Sequence, residues 1–211
     1  MRHTPPDTDV DSSPGARPGR PHRSAQDLAL IAVFAGLIAA LGVAPPIYLF
    51  GGGVPVTLQT LGVMLAGSVL GARRGFLACL VFLALVAIGL PLLSGGRGGL
   101  GVFAGPSAGY LIGWPLGAFV TGWISERSPR YSIPVGLLAN VLGGIVVVYA
   151  FGIPVQSWRI SASTFVGTLI AATVYLPGDV IKAVVSTFVT RGVRRAYPVL
   201  PGAGSAGSAR R

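Results

Sequence analysis

The chain has 211 residues, of which 52% are hydrophobic and only 10% charged, and its mean hydropathy is +0.71. Soluble domains carry about 25% charged residues, so the composition excludes a protein that covers itself with a water-facing surface. The net charge of +10 does not point to nucleic acid, because the arginines are strung between apolar runs and are not interleaved with aromatics.

Residues 1–24 are rich in Pro, Arg, Asp and Ser without apolar periodicity, and read as a disordered cytoplasmic tail. Ser24 and Asp27 fit a capping box opening the first helix. Six apolar runs come next: Leu28–Ala44, Val54–Leu70, Phe76–Leu93, Ala108–Ile124, Ile133–Phe151 and Leu176–Val193. Each is about long enough to cross a ~30 Å hydrocarbon core. The first is a transmembrane helix and not a signal peptide, since five more come after it. Within it Ala32, Gly36 and Ala40 form one stripe of small residues, and Ala35 and Ala39 an adjacent one. That spacing suits close helix packing, either inside the bundle or against a separate membrane partner. Cys79, the single cysteine, lies in the third run, so there is no disulfide framework and no cysteine metal site.

Two uncharged polar residues fall within runs, Gln59 in the second and Asn140 in the fifth. Each is equipped to read an amide-like ligand or to hydrogen-bond a neighbouring helix. Between the third and fourth runs lies Ser94-Gly95-Gly96-Arg97-Gly98-Gly99-Leu100-Gly101, continuing to Gly105-Pro106-Ser107-Ala108-Gly109-Tyr110. So much glycine suits a loop that closes over a ligand as a lid, its N–H groups and Arg97 turned to an anion; the alternative is a flexible connector. It is not an ATP-binding phosphate loop, as no Gly-x4-Gly-Lys-Ser/Thr occurs in the chain.

Thirteen of the 16 basic residues lie before the first run, after the second, after the fourth, or at the end of the sixth and beyond it, all on one side if the chain crosses six times. Short Lys/Arg-rich loops stay in the cytoplasm, so both termini are inside. Ile160–Tyr175 is apolar enough for a seventh crossing, but that would put the C-terminal arginines outside. It is expected instead as a helix at the outer surface, or dipping part-way in, ended near Pro177-Gly178. After Pro198 the Gly, Ala, Ser and Arg residues read as a flexible cytoplasmic tail (198–211), leaving a membrane domain over 25–197.

Asp179 and Lys182 remain, an ionisable pair inside the sixth run and three residues apart, hence on one helix face. Charges inside a span are costly and mark functional sites by default. A self-satisfied structural ion pair is the alternative, although such a pair adds little stability once buried. His3 and His22 both lie in the tail, so no catalytic residues and no metal ligands can be assembled in the membrane, and the chain does not read as an enzyme.

Three stretches, Val54-Pro55-Val56-Thr57-Leu58-Gln59-Thr60-Leu61-Gly62, the glycine-rich segment through Tyr110, and Leu176-Pro177-Gly178-Asp179-Val180-Ile181-Lys182, resemble the BioY family. These are the biotin-specific substrate-binding (S) components of energy-coupling factor (ECF) transporters. The likeness covers roughly residues 28–195; Ser107 stands where the family is expected to have Thr. It implies an all-α integral membrane protein, a compact six-transmembrane-helix bundle with both termini cytoplasmic and a Gly-rich lid loop, in the cytoplasmic membrane. It also implies biotin as the transported ligand, no cofactor, and partners in a transmembrane T component and two ABC ATPase subunits that hydrolyse ATP. Biotin would bind near the outer face, between spans four and six. Asp179 would accept from a ureido N–H, Lys182 would pair with the tail carboxylate, and Tyr110 and Tyr175 would face the apolar ring. Gln59, Arg97 and Asn140 complete the candidate site, and the Ala32, Ala35, Gly36, Ala39 and Ala40 stripes the candidate docking face. An S component for another vitamin, or a secondary transporter relaying protons through Asp179 and Lys182, are the alternatives.

Overall fold

A computed structural model describes residues 21–47, 54–128, 131–160 and 164–196. Among them run six helices, α1 (Pro21–Leu41), α2 (Gln59–Leu70), α3 (Ala72–Ala87), α4 (Ala108–Arg127), α5 (Ile133–Arg159) and α6 (Phe165–Ala196), and no strand. By length and composition α5 and α6 are each enough to cross a bilayer unaided. The burial pattern is that of a membrane protein. Asp179, Lys182, Asn140, Thr187 and Thr190 are buried, while Val33, Phe119, Trp123, Val146, Phe151 and Phe188 are exposed. In water that arrangement would be penalised twice; in lipid it satisfies both groups of side chains.

Helix boundaries depart from the hydropathy runs where proline and glycine intervene. The second run opens at Val54, but residues 54–58 lie outside any helix and α2 begins only at Gln59. Pro55 has no N–H to give a helix and biases the residue before it away from helical dihedrals. Val56 instead exchanges backbone hydrogen bonds with Ile47. The third run starts early, at Ala72, and stops at Ala87, where Gly89 takes a positive φ of 108° and Pro91 lies just beyond. α1 starts at Pro21, so Ser24 lies inside the helix rather than capping it. Asp27 is not a cap either: it pairs with Arg74 of α3 at 2.7 Å. Residues 1–20 and the 198–211 tail lie outside the described residues.

The largest correction concerns 160–175. The helix expected to end near Pro177-Gly178 starts at Phe165 and runs on through both residues to Ala196. A 3-10 turn at Thr173–Tyr175 makes this possible. There the Leu176 N–H bonds the Thr173 carbonyl. In an α-helix that carbonyl would need the N–H of Pro177, which does not exist. Asp179 and Lys182 therefore sit in mid-helix.

α4 occupies the middle, packed against α2, α3 and α5, while α1 covers α2 and α3, and α6 lies against α2 and the first half of α5. Backbones approach closely where side chains are missing. A Cβ on Gly122 of α4 would collide with the Gly71–Ala72 backbone. The α1 stripes divide as their geometry allows: Ala35 is buried and Ala39 packs on the core, whereas Ala32, Gly36 and Ala40 look outward, with nothing within 4 Å of a Cβ built on Gly36.

One end of the bundle is tied by charge. Besides the Asp27–Arg74 pair, Glu126 accepts from the Ala72 N–H at 3.1 Å, and Arg194 donates to the Ser68 carbonyl at 2.7 Å and lies over the Tyr131 ring. The beginnings of α1 and α3 and the ends of α2, α4 and α6 thus gather together. Lys182 is 12 residues before Arg194 on α6, ~18 Å along the axis, so the ion pair belongs to the opposite half.

Candidate solute cavity

The segments that hydropathy misassigns build the cavity. The stretch 54–57, the first turn of α2, the Leu93–Arg97 hairpin, the start of α4, the middle of α5 and residues 175–182 of α6 surround about 590 Å³, counting the open mouth. Tyr175 donates to the Val54 carbonyl at 3.0 Å and so holds the 54–57 stretch against α6.

At one wall Lys182 Nζ lies 2.9 Å from Asp179 Oδ1 and 3.0 Å from Thr60 Oγ1. Tyr149 reaches across from α5 and donates to Asp179 Oδ2 at 2.6 Å. Both charged side chains are under 10% exposed. Each has its counter-charge at hydrogen-bond distance, the condition under which a membrane interior tolerates ions. The rest of the lining is aromatic and aliphatic. Tyr110 and Tyr149 meet edge to face with centroids 6.0 Å apart, and Trp114 tilts against Phe82 at 5.9 Å. Tyr110 fits because Gly152 offers no side chain to its ring, and its hydroxyl donates to Gln156 Oε1 at 2.8 Å.

Arg97 lines the cavity from the glycine-rich hairpin, whose ends are joined by reciprocal Leu93–Arg97 backbone bonds while Gly95 and Gly96 take φ of 80° and 68°. Those left-handed dihedrals explain the paired glycines. The hairpin is fastened rather than loose. Gln59, also in the cavity wall, donates to the Ile38 and Leu92 carbonyls and accepts from the Ser94 N–H at 3.1 Å, and Ser94 Oγ donates to the Ala44 carbonyl at 2.7 Å.

Asp179, Lys182, Arg97, Tyr110, Tyr175 and Gln59 thus converge on one space as the sequence suggests, but the amide of Gln59 is spent on the loop. Asn140 is not there. It accepts from Ser68 and Ser186 and donates to Thr187, a knot between α2, α5 and α6 nearer the arginine end. It is a helix-to-helix hydrogen-bonding residue, the other role open to a polar side chain in a span. Sequence reasoning misses Thr60, Tyr149 and Trp114. Thr60 stands next to Gln59 in a motif already singled out, and is within its reach. Tyr149 sits in an unbroken apolar run, and its placement depends on a wide π-helical turn at Leu142–Val147 that hydropathy does not register.

The sequence profile of the BioY family matches residues 13–199. The biotin transporter BioY of Rhizobium etli is 52% identical over 185 residues, covering 84% of this chain and 98% of that protein. That of Rhodobacter capsulatus is 50% identical over 186 residues, covering 82% and 95%. Among solved structures, the S-component for biotin from an ECF-type ABC transporter superposes with a TM-score of 0.79 at 33% identity, covering 84% of this chain and 95% of that one.

Proposed function

The chain belongs to the BioY family, and from that premise we propose that it captures biotin and brings it across the cytoplasmic membrane as the substrate-binding subunit of an ECF transporter. It is not an enzyme. The observation that carries the reading is the charge balance of the cavity. Lys182 and Asp179 cancel at 2.9 Å, so Arg97 leaves the wall with one net positive charge, the complement of a single carboxylate.

This balance redistributes the roles expected from the motif. An ammonium already bonded to a carboxylate and a hydroxyl has one N–H left, and Asp179 retains acceptor directions. Together they offer a neutral donor beside an acceptor, which suits the C=O and N–H of a ureido ring. The tail carboxylate then goes to Arg97, and the sulfur ring to Tyr110 and Trp114. The hairpin carrying Arg97 serves as the lid, between the solute and the outer aqueous phase. Both termini lie in the cytoplasm, on the side of the arginines. A T component docks on the outward small-residue face of α1, Ala32, Gly36 and Ala40, and two ABC ATPases supply the energy while this subunit turns in the membrane.

Purified protein should bind radiolabelled biotin saturably, one molecule per chain, and excess thiamine or riboflavin should not displace it. Absence of binding, or equal displacement by either vitamin, overturns the reading. Uptake into proteoliposomes that tracks a pH gradient without any ATPase would replace it by a proton-coupled carrier.

A further inference from the structure

The Asp179 carboxylate is shared among three helices. Lys182, one turn further along α6, takes Oδ1, with Thr60 beside it; Tyr149, from α5, takes Oδ2. On α6 alone the spacing would let the ammonium draw both oxygens to itself. The phenol, at 2.6 Å, is a charge-assisted bond of the strong kind and holds the second oxygen apart.

That phenol is where it is because of the π turn just before it. Leu142–Val147 inserts extra backbone into α5, and each inserted residue rotates the remainder of the helix by about 100°. The turn is seated on missing side chains. A Cβ on Gly143 would strike Thr121 and the Gly117 carbonyl, and one on Gly144 would strike Met64. The Tyr149 ring is then held edge-on by Tyr110, which is itself tied to Gln156. A chain of contacts runs from α4 through α5 to one oxygen of Asp179.

We infer that Tyr149 is a positioning and specificity residue: by occupying Asp179 Oδ2 it leaves one acceptor direction for the solute, and so selects a neutral ureido N–H over a cationic group. This rests on the biotin reading above. With the phenol in place the carboxylate is divided among Lys182, Thr60 and Tyr149, and a second cation gains little from it. Without the phenol, Oδ2 regains a full share of charge and a cation is welcomed.

The test compares biotin with 2-iminobiotin, whose guanidinium is protonated at pH 7. Calorimetry on the purified full chain should show wild-type protein preferring biotin by tenfold or more. Tyr149→Phe, which keeps the ring and its packing, should weaken biotin about tenfold and narrow the preference by a similar factor, because the imino analogue loses little. If both affinities fall equally, or neither changes, Tyr149 only packs and the inference is overturned. A wild-type protein that favours 2-iminobiotin overturns it without any variant. Failure of wild-type protein to bind either compound defeats the biotin reading itself, and this inference with it.

Discussion

α6 carries two buried polar clusters about two turns apart, one around Asp179 and Lys182, the other where Ser186 and Thr187 meet Asn140. Both are inaccessible, both join α6 to α2 and α5, and both are hydrogen-bonded throughout. They differ in what is left over. Asn140 bonds three hydroxyls and is fully buried away from the cavity, whereas the ion pair keeps unspent valences in the cavity wall. Buried polarity in a membrane therefore does not mark a site; buried polarity with spare bonding capacity next to open space does.

Breaking the two clusters should separate their roles most widely. Asp179→Asn leaves Lys182 as a buried cation without its counter-charge, a loss of about 3–5 kcal/mol, and should weaken biotin on the order of a hundredfold or more in a filter-binding assay. Asn140→Leu should do the reverse. It orphans the hydroxyls of Ser68 and Ser186, while Thr187 keeps its bond to the Ala183 carbonyl, and costs about 1–3 kcal/mol of stability, visible as a lower melting temperature in detergent, while biotin affinity stays within about twofold. A hundredfold loss of affinity in Asn140→Leu would abolish the distinction between the clusters.

The next effect is tenfold in scale and tests the charge balance. Arg97→Gln removes the one net charge of the cavity and should weaken biotin about tenfold, as expected for a partly exposed charge-assisted bond. Biotin methyl ester, which has no carboxylate, should bind the variant and the wild type alike. If the ester loses as much as biotin, the carboxylate is held elsewhere, and the expectation that Lys182 takes it returns.

Much of this is legible without the fold, for reasons that can be named. A bilayer imposes length and apolarity on every span, so an all-helical chain of six helices is written in composition, and the spacing of the arginines carries the expectation that both termini face one side. Asp179 and Lys182 stand out because charge is rare in such runs. Gln59 and Asn140, by contrast, look alike in sequence, since both are amides in apolar surroundings and only their neighbours in space tell them apart. Pro177-Gly178 looks like a stop because the 3-10 turn that absorbs a proline has no signature of its own. Val54-Pro55-Val56 passes for the head of a helix because hydropathy does not see a missing N–H.

Gln59 provides the finest cut between the two clusters, because it resembles Asn140 in every respect but location. Each is a fully buried amide with three hydrogen bonds. Two of the Gln59 bonds go to Leu92 and Ser94, at the root of the hairpin that carries Arg97, and the third to the end of α1. Gln59→Leu should therefore lower stability as Asn140→Leu does, yet unlike it should also free the hairpin. We expect biotin dissociation to speed up about three- to tenfold, with association nearly unchanged, since most affinity differences among variants of one site lie in the off-rate. Stopped-flow fluorescence can track this through Trp114, whose indole lines the cavity. Equal off-rates in Gln59→Leu and Asn140→Leu would mean that the hairpin is not what retains the solute.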